Sequence, residues 1–286
     1  LLWGIFLVIC LINIMGNLGL IMLICVSLQL RTPMFYFLSH LAFVDFCYTS
    51  SVTPNTLVNF LQEIKRISLP ACAIQLFCFI MFVVCELYML SVMAYDRYVA
   101  ICHPLNYMVL MRPRVCWLMV VTPWVLASLN ALGHTLYIMH FSFCMSRKIS
   151  HQLCEIPLLL KLACADTSRY EFMVYVTGVT FLLLPISAIV SSYTLILLTV
   201  LHMPSNEGRQ KALVTCSSHL TVVGMFYGAA TFMYVLPSSL HSPKQDNIIS
   251  VFYTMVTPAL NPLIYSLRNK DVKIAFNKIL EKRSFL

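Results

Sequence analysis

Charge is scarce in this sequence. Only 10% of its 286 residues are Asp, Glu, Lys or Arg, while 60% are hydrophobic. A soluble domain carries about 25% charged residues. A chain this poor in charge cannot clothe a water-facing surface of its size, and the bilayer is its natural solvent. The scarcity is also clustered. Leu1–Leu30, Val115–Ser146, Phe172–Asn206, Ala212–Pro243 and Asn247–Leu267 hold no charged residue, and Thr32–Gln62 and Ile67–Tyr95 hold one acid each, Asp45 and Glu86. A spanning helix needs roughly 20 apolar residues. These stretches predict seven spans and leave no room for a soluble domain.

Other absences narrow the function. A membrane barrel needs strands that alternate apolar and polar residues, and runs such as Phe181-Leu182-Leu183-Leu184 do not alternate. There is no glycine-rich phosphate loop and no His-Glu-x-x-His. Ser218-His219 is not a nucleophile–base pair, because neighbours on a helix do not face each other. These absences argue against an enzyme. No repeat relates the two halves, as a transporter built from internal repeats would require. The chain begins without methionine inside a hydrophobic run, and Leu1–Leu30 lacks the basic start and cleavage site of a signal peptide. The expectation is a fragment lacking its extracellular amino-terminal tail. No Asn-x-Ser/Thr acceptor occurs in it.

What is present organises the chain as one domain over 1–286, with spans at 1–26, 33–57, 71–102, 114–136, 170–201, 210–236 and 245–267. Twelve Lys and Arg fall on the side of the carboxyl tail and seven on the other. By the positive-inside rule the tail is cytoplasmic and the amino terminus extracellular. The net charge of +8 is then an inner-leaflet feature, attracted to anionic lipid, and needs no nucleic-acid partner. Pro185 and Pro262 fall inside spans, where a missing backbone donor favours a kink, either a hinge or a static bend. After the last span, Val272, Ala275, Phe276, Ile279 and Leu280 recur at helical spacing among lysines. That predicts a short amphipathic helix over 269–280 on the inner membrane surface.

Of the twelve cysteines, Cys144, Cys154 and Cys164 lie in the long outer loop near 137–169 and Cys72 opens the third span on the same side. Four cysteines in an oxidising compartment predict two disulfides, and the sequence allows all three pairings. The other eight read as small apolar packing residues.

Several motifs carry a resemblance. Met93-Ala94-Tyr95-Asp96-Arg97-Tyr98-Val99-Ala100-Ile101-Cys102-His103-Pro104-Leu105 closes the third span. Pro33-Met34-Phe35-Tyr36-Phe37-Leu38 opens the second. Lys211-Ala212-Leu213-Val214-Thr215-Cys216-Ser217-Ser218-His219-Leu220 opens the sixth, and Pro258-Ala259-Leu260-Asn261-Pro262-Leu263-Ile264-Tyr265-Ser266-Leu267-Arg268-Asn269 closes the seventh. With Gly16-Asn17 and Ser192-Tyr193, they occur in the order seen in odorant receptors of the rhodopsin-like, G-protein-coupled class, in the tetrapod-type (class II) division, which this chain resembles over nearly its whole length. The sequence departs from that pattern at Gln152 and Leu153, at Asn106, and at Pro204 in a third inner loop that is less basic than usual.

The resemblance implies an all-α membrane protein, a seven-transmembrane helix bundle with a short eighth helix on the cytoplasmic side. It sits in the plasma membrane, binds an odorant and activates the stimulatory olfactory G protein, raising cyclic AMP. The alternative is a related receptor for a non-odorant small molecule, or a chemosensor outside the nose. Carried over residue by residue, the ligand set is Phe79, Ile80, Val83, Val84, Thr177, Phe181, Tyr227, Ala230, Tyr234, Val251 and Thr254. It contains no acid, Lys or Arg, which argues for a neutral, mostly hydrophobic volatile with at most one hydrogen-bonding group. The alternative for many of these residues is bundle packing.

The switch set is Asp96, Arg97, Tyr98, Tyr193, His219, Asn261, Pro262 and Tyr265. Asp96 can hold Arg97 by a charge-assisted hydrogen bond until activation frees it. Asp45 and Glu86 are intramembrane acids, functional by default. No cofactor is required, but a sodium ion fits between these two carboxylates, with Asn261 and serine hydroxyls as hard ligands. The alternative is a protonated, water-filled network. Cys72 pairs with Cys154 and Cys144 with Cys164 by the same resemblance. His151-Gln152-Leu153-Cys154-Glu155 resembles a spacing proposed for metal-assisted odorant binding, but a disulfide at Cys154 would remove the thiolate. His134 and His219 read as packed or interfacial rather than as metal ligands.

Overall fold

The computed structural model describes residues 2–61, 67–143, 156–234 and 255–284. Among them the chain is helical: α1 Leu2–Val26, α2 Pro33–Leu61, α3 Leu69–Cys102, α4 Tyr107–Leu110, α5 Pro113–Met139, α6 Ile156–Leu162, α7 Ser168–Leu201, α8 Asn206–Tyr234, α9 Thr257–Arg268 and α10 Lys270–Ser284. Short 3-10 turns at Leu28–Leu30 and Pro104–Asn106 follow α1 and α3. Between described residues the sole strand-like pairing is a single bridge, Phe143 to Ala163.

Among the described residues five helices are long and apolar enough to cross a bilayer, at Phe6–Val26, Leu69–Cys102, Pro113–Met139, Ser168–Leu201 and Asn206–Met233. Lipid can solvate only a backbone whose polar groups are paired internally, and a helix pairs them within itself. The outward faces agree with that solvent. Met15 and Met22 of α1, Leu129 and Leu136 of α5 and Phe172, Leu183 and Leu184 of α7 are all exposed. In water such a surface would aggregate.

α3 is the axis of the bundle. It packs against α2, α5, α7 and α8, while α1 closes against α2 and α9. Its start is fixed locally: the Ser68 hydroxyl accepts the Ala71 N–H, and Pro70 sits in the first turn, where its missing donor costs nothing. Most of its residues from Cys72 to Val99 are buried. α3 therefore connects both ends of the molecule through one rigid element.

The proline kinks predicted from sequence have their residues inside α7 (Pro185) and α9 (Pro262), and α5 adds Pro123. Pro262 meets Gly16 of α1: a Cβ built on that glycine would lie 3.1 Å from the Pro262 Cγ. Next to this contact the Asn17 amide donates to Asn13 Oδ1 at 2.8 Å and to the Pro258 carbonyl of α9 at 3.2 Å. Asn269 caps α10, its side-chain oxygen accepting the Asp271 N–H at 2.9 Å. α10 turns Val272 and Ala275 inward and leaves Ile274 and Phe276 exposed.

Cys72 and Cys164 are both disulfide-bonded. Cys144 and Cys154 lie outside the described residues, as do Val251 and Thr254 and the whole His151–Glu155 segment. The eight cysteines from Cys10 to Cys216 that are not in the outer-loop group are free thiols.

Candidate functional site

Three features lie along α3. Near its Cys72 end is a cavity of about 150 Å³. Phe79, Ile80, Val83 and Val84 of α3, Thr177 and Phe181 of α7 and Ala230 of α8 all line it. All seven belong to the ligand set expected from the sequence, and the fold brings them together.

Tyr227 is different. It is buried, and its hydroxyl donates to the Leu87 carbonyl at 2.8 Å, so it braces α8 against α3 behind the cavity wall and does not line it. It stands three residues before Ala230 on the same helix face, with its hydroxyl engaged by the Leu87 carbonyl. Tyr234 closes α8, and its side chain lies outside the described set.

The cavity holds two polar residues outside the expected ligand set, Asn130 and His134 of α5. They are four residues apart and so share one helix face. His134 is 5% exposed, with Nε2 2.9 Å from Thr177 Oγ1 and Nδ1 3.3 Å from the Tyr170 hydroxyl. Thr177 directs its proton to the Met173 carbonyl at 2.8 Å. Nε2 therefore donates to Thr177, while the Tyr170 hydroxyl, beside Nδ1, donates to the His134 backbone carbonyl at 3.2 Å. The residue is packed, as expected, but it also faces the cavity. The signal available in the sequence was the polar pair at helical spacing in an otherwise apolar span. Among the described residues the lining contains no Asp, Glu, Lys or Arg. Ile156 of the short α6 lies over it.

Midway along α3 is a buried carboxylate pair. Asp45 and Glu86 are fully buried, and the Asn261 amide of α9 donates to Asp45 Oδ2 at 2.8 Å and to Glu86 Oε1 at 3.4 Å. The second oxygens, Asp45 Oδ1 and Glu86 Oε2, have no partner, and neither has Asn261 Oδ1. Two acids facing one amide repel unless a proton or a cation relieves them. Among the described residues no three of His, Cys, Asp and Glu come together. The donor set is hard oxygen, suited to an alkali or alkaline-earth ion rather than a soft metal.

At the far end a cleft of about 610 Å³ is lined by Met34, Arg97, Ser218 and Tyr265, with Glu207 and Lys270 at its edges. Arg97 donates to the Met34 sulfur of α2. Its expected bond to Asp96 is not formed. The Asp96 carboxylate instead accepts the Tyr107 hydroxyl of α4 at 2.8 Å. The reason is elementary: adjacent helical residues point about 100° apart and cannot face each other. Burial, then the neighbouring Asp96, push the Tyr107 phenol well above its ordinary range.

Tyr98 reaches His103 at 3.0 Å, and the Tyr193 hydroxyl of α7 lies 2.6 Å from His219 Nδ1 of α8. Tyr265 is buried at the cleft wall, and Pro262 sits one turn above it against Gly16. The eight switch residues thus fall into separate places: Asp96 with Tyr107, Arg97 with Met34, Tyr98 with His103, Tyr193 with His219, Asn261 with the acids, Pro262 with Gly16, and Tyr265 on the cleft wall.

The family model described as "Olfactory receptor" matches residues 6–283. Human olfactory receptor 2AG2 is 64% identical over 99% of this chain and 89% of its own length, and human olfactory receptor 2AG1 is 62% identical over 95% and 86%. Human olfactory receptor 2T1 is 52% identical over 93% of this chain and 72% of its own.

Proposed function

The chain belongs to the olfactory receptor family, a family of multi-pass membrane receptors and not of enzymes, and on that premise we propose that it detects a small, neutral, hydrophobic odorant in the cavity near Cys72 and activates a stimulatory olfactory G protein, raising cyclic AMP. The observation that carries the ligand class is the lining formed by the described residues: apolar, without a formal charge, with Asn130, His134 and Thr177 as polar groups. A charged amine or carboxylate would lose hydration there and find no counter-charge among these residues.

In this reading the chain crosses the plasma membrane seven times, with the Cys72 end outside and the Arg97 end facing the cytoplasm. α10 lies on the inner leaflet as the eighth helix. Disulfides Cys72–Cys154 and Cys144–Cys164 hold the outer loop over the cavity. The cleft at Arg97 receives the G protein.

A ligand shifts the receptor only through a difference in affinity between its states. α8 supplies such a lever. Ala230 and Met233 touch the cavity, Tyr227 hangs on the Leu87 carbonyl beside it, and His219 of the same helix meets Tyr193 near the cleft. An odorant that presses on Ala230 or Leu87 biases the position of α8, and with it the Tyr193–His219 contact and the opening beside Arg97.

A sodium ion fits the mid-bundle oxygens. Asp45 and Glu86 would hold it with Asn261, and it would supply the positive charge that lets both acids stay ionised. The unpartnered oxygens Asp45 Oδ1, Glu86 Oε2 and Asn261 Oδ1 support this reading.

Filling the cavity tests the ligand site. Ala230→Phe is expected to abolish odorant-evoked cyclic AMP at unchanged surface level. A full response in that variant would contradict the assignment.

A further inference from the structure

Gly178 occupies the centre of the α7 wall of the cavity. Val174, Thr177, Phe181 and Leu182, the residues four and one before it and three and four after it, all line the cavity with it. That spacing is one helix face, so Gly178 is the gap in a continuous inward stripe. Glycine is the least favourable helix-interior residue after proline, so its presence there calls for a reason.

The usual reasons are absent. No described glycine has positive φ. A Cβ built on Gly178 meets nothing within 4 Å, unlike one on Gly16, which is pressed against Pro262 at 3.1 Å. The other glycines with open space around a Cβ, such as Gly19 and Gly224, do not line the cavity. What the missing side chain leaves at Gly178 is room inside the site.

An apolar cavity of about 150 Å³ is of the order that accepts a benzene-sized molecule, and this one measures about 150 Å³. A leucine at the same place would push a four-carbon branch into it. We propose that Gly178 is a specificity-determining residue: the side chain it lacks is the space that the bulkiest part of the ligand fills, and it sets the upper size limit of the neutral odorants this receptor accepts. The proposal rests on the reading that the cavity near Cys72 is the odorant site.

The test uses straight-chain alcohols, aldehydes and ketones of increasing length, applied to cells expressing wild type, Gly178→Ala or Gly178→Leu, with cyclic AMP and surface level measured together. Alanine favours the helix and serves as the folding control. The expected result is a graded loss from the long end of the series. Gly178→Ala weakens the longest agonists by about tenfold, the scale of one methylene in an apolar pocket. Gly178→Leu abolishes them and leaves the shortest agonists at wild-type potency. Equal potency changes along the whole series, or none, at normal surface level would overturn the proposal while leaving the odorant site standing. Silence of the wild type toward the entire series would overturn the neutral-odorant reading and this inference with it.

Discussion

The Tyr193 hydroxyl lies 2.6 Å from His219 Nδ1, and the two rings stack at 23° with centroids 5.8 Å apart. One residue belongs to α7 and the other to α8, so the contact holds the two helices together close to the Arg97 cleft. His219 is 1% exposed, and water cannot replace the lost partner. Removing one side of such a bond costs about 1–3 kcal/mol. The cost falls on the arrangement in which α7 and α8 are close. Tyr193→Phe is therefore expected to raise basal cyclic AMP several-fold at equal surface level. Unchanged or lowered basal signalling would show that the contact does not restrain α8.

Tyr107 and Asp96 make a second tether, between the short α4 and the end of α3. A neutral donor on a carboxylate is worth about 1.5–3 kcal/mol, so Tyr107→Phe should weaken G-protein activation, measured as nucleotide exchange, without altering odorant potency. The pH dependence has a definite sign. The phenol is raised by burial and then by Asp96, so its contribution is fully present below the ordinary tyrosine value near 10 and is lost only as pH rises through the higher folded value. Coupling through this tether should be flat across neutral pH. A Tyr107-dependent step near neutrality would contradict it.

Gly16 and Pro262 are too close to admit a side chain without a shift of the proline. The Cβ of any other residue at position 16 would come within 3.1 Å of the proline Cγ and 3.4 Å of its Cβ. The proline ring cannot swing aside as a flexible side chain would. Gly16→Ala is expected to lower surface expression moderately and Gly16→Val severely, on the scale of about 1–3 kcal/mol or more for overpacking. Normal surface level for the valine variant would show that α1 and α9 have slack between them.

The carboxylate pair gives a measurement independent of signalling. Purified receptor melted in sodium chloride should be more stable than in choline chloride, because an ion bound to the native state alone stabilises it by mass action. Asp45→Asn and Glu86→Gln should each abolish the difference. Equal melting in both salts for the wild type would favour protonation of one acid, with Asn261 bridging the pair.

Much of the helical architecture is legible in the apolar runs, because lipid forces backbone polar groups to pair within the segment. The ends of the helices follow a different rule. α8 begins at Asn206, ahead of the span expected from 210, since the Ser205 hydroxyl accepts the Gly208 N–H at 3.2 Å and a helix continues into water past its apolar stretch. The residues at the cavity were legible where they stood on α3, a helix buried on nearly every side. On α5 the outcome turned on rotation. Asn130 and His134 face inward and Leu129 faces outward, and a span apolar almost all round gives little signal for its angle. The Asp96–Arg97 bond failed for a reason already present in helical geometry, and Tyr107 became the partner only through the tertiary position of α4.

The central claim is that an odorant held near Cys72 is read out at Arg97. The direct test is cyclic AMP in cells expressing the receptor, wild type beside Arg97→Ala at matched surface level, across a panel of neutral volatiles. The account predicts a concentration-dependent rise in the wild type that Arg97→Ala abolishes. An undiminished response in Arg97→Ala, or silence of the wild type toward the whole panel, would contradict it.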